Sequence, residues 1–238
     1  MMPEPSQAED AADPSPASAA LDSAALTEDL ALAQLAEHDL ASGAIEEISK
    51  NSGLMKSRKV RLAIASHPRT PRRIALKLIR ELYTFDLMQF ALLPTAPPDL
   101  KHVADELLIS RLASITLGER IALARRCSAK VAGALLLDKE TRVWQAALES
   151  PRLTEANVVK ALQRTATAAC VESVSHHAKW SLRPEIRIAL LRNAHTPLAR
   201  ALEFARRLAP AQLRDVLHSS RLPEKIKAYL RKELEGRK

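Results

Sequence analysis

The chain has 238 residues, of which 47% are apolar and only 3% aromatic, so it can supply an ordinary core but lacks the residues that strands prefer. Its two cysteines, Cys127 and Cys170, have no CxxC spacing, which argues against a disulfide framework or a zinc site and predicts buried free thiols. The net charge is +8, yet residues 1–50 hold eleven acidic residues and one lysine, so the rest of the chain is strongly basic.

Residues 1–25 are rich in Pro, Ser, Ala and acidic side chains, and Leu21 is their one large apolar residue apart from the initial methionines. Such a segment cannot bury enough surface to offset the entropy of ordering it. We therefore predict a disordered acidic tail. The segment has no basic stretch followed by an apolar one, and no apolar run in the chain reaches the ~18 residues of a membrane span. These features predict a cytoplasmic protein.

Residues 26–55 show two short apolar stripes at near-helical spacing. The first contains Leu32 and Leu35, and the second, after Gly43, contains Ile45 and Ile48. Glycine commonly interrupts a helix, so we predict two short helices here that cap the domain that follows.

A unit of about 24 to 26 residues recurs over residues 56–238. Each copy contains a short helix, a turn with Pro or a capping residue, and a second helix with leucines at spacings of three and four. The best copies are VRLAIASHPRTPRRIALKLI (60–79), VWQAALESPRLTEANVVKAL (143–162) and IRIALLRNAHTPLARALEFA (186–205). One unit cannot bury its apolar stripe alone, so neighbouring units are expected to stack.

Turn chemistry predicts where the second helices begin. Thr70 and Thr196 are expected to accept a backbone N–H of the helix that follows, with Pro71 and Pro197 at its first helical position. Thr154 is expected to cap without a proline. A capping box is expected from Thr116 and Glu119.

The repeated run "V-R-x-A-x-A, polar residues, P-x-x-P or P-x-x-T, leucine-rich helix" resembles the leucine-rich repeat variant (LRV) family and, more loosely, HEAT-like repeats over residues 56–235. The resemblance implies an all-α fold, a right-handed α-solenoid of short helical repeats. Some members of that family carry a cysteine-ligated iron–sulfur cluster before the repeats. Residues 1–126 contain no cysteine, so no cofactor is carried over.

Candidate catalytic and metal-binding residues are few. No phosphate-binding glycine loop, GxSxG or HExxH motif is present. His176 and His177 form the one histidine cluster, but zinc would need Cys170 and a fourth ligand from elsewhere. His67 and His195 fall in aligned turns, where a ring nitrogen is expected to bond a backbone carbonyl. We predict no metal and no enzymatic activity.

An enzymatic alternative comes from the alkylpurine DNA glycosylases built of HEAT-like repeats. These use aromatic residues and a carboxylate in a basic groove, for which this chain offers Asp138, Glu140, Trp144 and Trp180. So few aromatic residues are a poor set for holding a base, and core packing is the preferred interpretation of Trp144.

Basic residues give the clearest functional signal. On the helix that starts near Pro71, Arg73, Lys77 and Arg80 share one side, opposite the apolar stripe, with only Glu81 close in sequence. Acidic residues of the same repeat are therefore expected to neutralise this positive charge only in part. The candidate basic face consists of Arg69, Arg72, Arg73, Lys77, Arg80, Arg125, Arg126, Arg206 and Arg207.

These observations favour a non-catalytic helical-repeat scaffold that binds a partner protein with an acidic surface through a basic face. A further alternative is that the chain's own residues 1–50 supply the acidic partner of the stripe. The alternative is sequence-independent nucleic-acid binding by the basic body, and the glycosylase-type enzyme comes third.

Overall fold

The computed structural model describes residues 26–164 and 166–236, and the predicted tail, residues 1–25, lies outside them. The described residues form fifteen α-helices and one short 3-10 helix, with no strand among them. The all-α prediction is therefore confirmed for this part of the chain. The physical basis is local, since the sequence is rich in good helix formers and has few β-branched or aromatic runs.

The chain divides into two compact units, residues 1–82 and 83–238. In the first unit, α1 packs on α3, α3 packs on α4, and the 3-10 helix contacts α2 and α3. Ile45, Val60, Ile64 and Ile79 are fully buried here. Gly43 lies in the first turn of α2 rather than before it. The helices of this unit are α1 (Glu28–Ala36), α2 (Ser42–Lys50), the 3-10 helix (Leu54–Lys56), α3 (Arg58–Ser66) and α4 (Arg72–Glu81).

The second unit contains eleven helices among its described residues. They are α5 (Thr84–Leu92), α6 (Pro98–Arg111), α7 (Leu117–Arg126), α8 (Ala129–Leu135), α9 (Thr141–Leu148), α10 (Glu155–Gln163), α11 (Ala168–His176), α12 (Pro184–Arg192), α13 (Leu198–Arg206), α14 (Pro210–Ser219) and α15 (Glu224–Glu235).

Packing in the second unit follows a regular rule. Helices contact the helix two positions further along the chain: α5 with α7, α6 with α8, α7 with α9, α8 with α10, α9 with α11, α10 with α12, α12 with α14, and α13 with α15. Several neighbours in sequence also touch, such as α5 with α6 and α12 with α13. The helices of this unit thus bury apolar residues mainly against the helix two positions away and, in several cases, against a neighbour in sequence.

Threonines before the proline anchors act differently from the prediction. The Thr70 hydroxyl donates to the Ile64 carbonyl oxygen at 2.6 Å, and the Thr196 hydroxyl donates to that of Leu190 at 2.6 Å. Pro71 and Pro197 take the N-cap position, and no side chain caps either following helix. These threonines therefore bond a carbonyl in the last turn of the preceding helix, which also accepts from the N–H of His67 or Asn193, instead of an N–H at the start of the next.

Helix starts without a proline anchor follow the prediction. The Thr116 hydroxyl accepts from the Glu119 N–H, and the Glu119 carboxylate accepts from the Thr116 N–H, which completes the capping box. The Thr154 hydroxyl accepts from the Asn157 N–H. Both caps are fixed by side chains three residues apart, which is why sequence alone identifies them.

Four turns are tied to a segment about 30 residues earlier by one side chain each. The Asn193 amide nitrogen donates to the Leu162 carbonyl at 2.7 Å, and the Ser220 hydroxyl donates to the Leu191 carbonyl at 2.6 Å. The Trp180 indole N–H donates to the Leu148 carbonyl at 3.1 Å. In the first unit, His67 Nδ1 accepts from the Arg69 N–H, so Nε2 carries the proton and donates to the Glu37 carbonyl at 3.0 Å.

These bonds confirm that His67 has a structural role in its turn. The equivalent residue in the later copy is Asn193 and not His195, since the Asn193 side-chain oxygen accepts from the His195 N–H just as His67 Nδ1 accepts from Arg69. A turn side chain that bonds both its own loop and the preceding helix end fixes the spacing between successive helices.

Gly133 gives a test of the packing of α8 on α10. A Cβ at this position would lie 2.9 Å from the Asn157 Cβ, an atom held by the backbone, so the two helices would have to move apart. We expect Gly133→Ala to lower the free energy of unfolding by about 1–2 kcal/mol, because overpacking outweighs the gain of ~1 kcal/mol in helix propensity.

Gly118→Ala is the matched control, since a Cβ there meets nothing within 4 Å. It is expected to leave stability unchanged or raise it by up to ~1 kcal/mol in urea unfolding. Equal behaviour of the two variants would contradict the close contact of α8 and α10.

Candidate anion-binding cleft

Five residues of the predicted basic face lie in the first unit, in or just before α4. Arg69 pairs with Asp39 at 2.8 Å, and Arg73 pairs with Glu46 at 2.9 Å. The stripe is therefore neutralised more than its own repeat suggests, and both carboxylates belong to residues 1–50, as one of the alternatives anticipated. The other three members, Arg72, Lys77 and Arg80, are exposed on α4.

The remaining four predicted residues lie in the second unit. Arg125 and Arg126 are exposed at the end of α7. Arg206, the last residue of α13, pairs with Glu233 at 3.0 Å, and Arg207 pairs with Glu203 at 3.0 Å. The Glu233 carboxylate raises the pKa of Arg206 through its hydrogen bond and charge. Four of the nine predicted residues thus carry a carboxylate partner, and a binding role for the face as a whole stays a prediction.

A different set of arginines lines one cavity of the second unit. Arg164 follows α10, Arg192 ends α12, and Arg221 follows α14, and all three line one cavity of about 380 Å³. We call this cavity the arginine cleft. His195, Gln163 and Ser219 also contribute to its lining, but among the described residues no Asp or Glu does.

Backbone and turn bonds hold the three helix ends of the arginine cleft together. Asn193 bonds the end of α10 through the Leu162 carbonyl, and Ser220 bonds the end of α12 through the Leu191 carbonyl. The Arg221 N–H donates to the Arg192 carbonyl at 3.0 Å. The arginines are therefore brought together by the same contacts that stack the helices.

The carbonyl groups nearest these arginines already have hydrogen-bond donors. The carbonyls of Leu162, Leu190, Leu191 and Arg192 accept from turn residues, as described above. A helix end usually attracts a cation because its last carbonyls are unsatisfied. At these helix ends the carbonyls already have donors, so they attract the cleft arginines less strongly. None of the three arginines forms an ion pair within the described part of the chain.

A second, smaller hollow borders the arginine cleft and differs from it in charge. Its lining comes from α6, α8 and α10 and includes Lys130, Lys160 and Glu106, with Arg164 shared between the two cavities. Lys130 donates to the Glu106 carboxylate, and this hydrogen bond lowers the pKa of Glu106. One of the two lysines is thus neutralised, so unpaired positive charge is concentrated in the arginine cleft.

The sequence analysis did not identify the arginine cleft. Arg164, Arg192 and Arg221 lie 28 and 29 positions apart, which differs from the spacing of 24 to 26 residues found for the anchors. A signal was present, because each arginine stands at or just after the C-terminal end of a helix. Arginine is common at such ends for reasons of helix stability, so the position alone does not indicate binding.

The two cysteines are buried in the core, and His177 contacts two neighbouring residues. Cys127 and Cys170 are buried free thiols, as predicted, and burial raises the pKa of each to about 12. His177 Nδ1 accepts from the Lys179 N–H, and its Nε2 lies 3.2 Å from a Glu149 carboxylate oxygen. Within residues 26–164 and 166–236, no three His, Cys, Asp or Glu side chains are grouped to hold a metal ion.

The four residues suggested by the glycosylase resemblance are not arranged to hold a base. Trp144 and Trp180 are each only 2% exposed, so neither presents a ring face to a ligand, and the core interpretation of Trp144 is confirmed. Asp138 accepts from Arg120 at 2.8 Å and is largely buried. Glu140 is exposed at the start of α9.

Across the described residues, every helix is either too short or too polar to cross a bilayer. Comparison with known protein families, with curated proteins and with solved structures found no match.

Proposed function

We propose that the chain is a non-catalytic helical-repeat scaffold and that its arginine cleft binds an acidic segment of a partner protein. The observation that carries the proposal is the cleft itself, where Arg164, Arg192 and Arg221 line one cavity without a carboxylate to neutralise them. Clustered, unpaired arginines with fixed supports favour recognition of an anionic group, since guanidinium forks match carboxylate and phosphate oxygens in pairs.

Two observations support the repeat architecture that the scaffold needs. Helices of the second unit contact the helix two positions further along, and turn side chains bond carbonyls 29 to 32 residues earlier. Both are what stacked helix pairs produce. We therefore propose that the repeats form a right-handed α-solenoid of the LRV or HEAT-like kind, with residues 1–25 as a disordered tail.

A protein partner is favoured over nucleic acid by the shape and composition of the site. Proteins that bind nucleic acid without sequence preference use a basic track along the backbone and aromatic side chains that stack on bases. The arginine cleft is one cavity, and its described lining contains no Phe, Tyr or Trp. Along the adjoining hollow, Glu106 neutralises Lys130.

The test compares an oligoglutamate peptide with single-stranded and duplex DNA, each labelled with fluorescein and titrated with the full chain at low salt. The variant R164E/R192E/R221E is expected to bind oligoglutamate at least about tenfold more weakly, because it replaces three attractive charges by three repulsive ones. Circular dichroism should show unchanged helicity, since all three side chains are exposed.

The control K139E/R142E/R183E changes the net charge equally at exposed positions outside both the cleft and the predicted basic face. It is expected to weaken oligoglutamate binding less than about threefold, through long-range charge alone. Equal weakening by both triple variants, or tighter binding of DNA than of oligoglutamate by the parent chain, would overturn the proposal. The second result would establish the nucleic-acid alternative.

A further inference from the structure

The charge of the arginine cleft points beyond a generic acidic partner. We propose that the cleft recognises a phosphate monoester on a side chain of the partner, that is, a phosphorylated segment. This inference rests on the function proposed above and specifies the chemical group that occupies the same site.

Charge balance favours phosphate over carboxylate. Arg164, Arg192 and Arg221 bring three permanent positive charges to one cavity, and no acidic residue lies in its described lining. A single carboxylate carries one negative charge and would leave most of this charge uncompensated. A phosphorylated side chain carries about −1.5 to −2 at neutral pH and offers three strong acceptor oxygens.

The number and availability of donors agree with this choice. Each guanidinium has five N–H donors in a planar fork that matches two oxygens of a phosphate. The carbonyls at the ends of α10 and α12 are already bonded to Asn193, Ser220 and the Arg221 N–H, so they do not compete for these donors. Gln163 adds a neutral donor to the lining.

The structure around the cleft limits the reorganisation that binding requires. Asn193 and Ser220 fix the ends of α10, α12 and α14 relative to one another through bonds of 2.7 and 2.6 Å. The backbones of Arg192 and Arg221 are joined directly at 3.0 Å. A site whose supports are already in place loses less entropy on binding, which raises its affinity.

The size of the cleft favours phosphate attached to a peptide. A cavity of about 380 Å³ is larger than one phosphate group and falls at the lower end of ligand-pocket sizes. Leu162, Ala166, Ala189 and Ala194 form an apolar part of its lining. This part can contact the carbon atoms of the phosphorylated residue and its neighbours, which free phosphate cannot use.

The experiment measures binding of the full chain to a short fluorescein-labelled peptide with phosphoserine, glutamate or serine at its centre. Inorganic phosphate and free phosphoserine serve as competitors. We expect the phosphoserine peptide to bind at least about tenfold more tightly than the glutamate peptide, and the serine peptide to bind more weakly than both. The affinity of the phosphoserine peptide should fall as the pH is lowered through about 6, because its phosphate gains a second proton there. The affinity of the glutamate peptide should not fall in this range.

Arg192→Lys separates fork geometry from charge. Lysine keeps the positive charge but loses the planar pair of donors, so this variant should weaken the phosphoserine peptide about tenfold and the glutamate peptide much less. Arg142→Lys, on an exposed residue outside both the cleft and the predicted basic face, is the control and should change neither affinity.

Each contrary result has a distinct meaning. Equal affinity for the phosphoserine and glutamate peptides would overturn the phosphate inference and leave the acidic-partner function standing. Equal affinity for free phosphoserine and the phosphoserine peptide would overturn the assignment to a partner segment. If neither peptide binds while DNA does, both the inference and the proposed function fail.

Discussion

Trp180→Ala is expected to lower the free energy of unfolding by about 3–5 kcal/mol, since it removes a large buried ring and leaves a cavity. Trp180 is 2% exposed and lies in the turn between α11 and α12. Its indole N–H donates to the Leu148 carbonyl at the end of α9, and the Lys179 amine lies 4.1 Å from its ring centroid. Loss of the ring therefore removes both packing and a link between successive helix pairs. Urea unfolding followed by circular dichroism measures the effect.

Two further variants divide this effect into its parts. Leu182→Ala changes a residue that is 61% exposed in the same turn and should alter stability by less than about 0.5 kcal/mol. Trp180→Phe keeps an aromatic ring but removes the hydrogen bond to Leu148, and should cost about 1–3 kcal/mol. A loss below about 1 kcal/mol for Trp180→Ala would show that the turn does not hold the helices together.

Asp138→Ala is expected to have the second largest effect, a loss of about 2–4 kcal/mol. The Asp138 side chain is 7% exposed and accepts from Arg120, whose own side chain is 22% exposed, at 2.8 Å. It also accepts from the Glu140 N–H at the start of α9. Without this carboxylate, a largely buried guanidinium loses its counter-charge, and the Glu140 N–H just before α9 loses its hydrogen-bond acceptor. Thermal or urea unfolding of both proteins measures the difference.

Asp39→Ala is the matched control for an exposed pair. Asp39 and Arg69 form an ion pair of equal length, 2.8 Å, but their side chains are 95% and 52% exposed. Water screens such a pair, so its loss should change stability by less than about 1 kcal/mol. Similar losses for Asp39→Ala and Asp138→Ala would contradict the view that burial makes the Arg120–Asp138 pair important.

Features that depend on residues close in sequence were predictable. The capping box of Thr116 and Glu119 joins residues three positions apart, and Thr154 caps its helix in the same way. Burial of Cys127 and Cys170 followed from the absence of any partner spacing in the sequence. The role of Thr70 was mistaken, since its hydroxyl has an N–H and a carbonyl within reach, and local sequence does not decide between them.

The sequence showed how many basic residues the chain carries, but it did not show which of them are free to form a binding site. Residues 1–50 contain eleven acidic residues. The pairs Arg69–Asp39 and Arg73–Glu46, however, depend on how α2 and the turn before it lie relative to α4 and the turn before that helix. Charge counting within one repeat therefore overestimated the free charge of the α4 stripe.

The sequence by itself determined that the described chain is helical and where many of its helices begin, because helix propensity and capping act over a few residues. Tertiary structure decided which distant carbonyl each turn side chain reaches and which arginines meet. Asn193 and Ser220 act across 31 and 29 residues, and such contacts form only when successive helix pairs pack on one another. The arginine cleft is a product of that packing, since no local rule brings Arg164, Arg192 and Arg221 together.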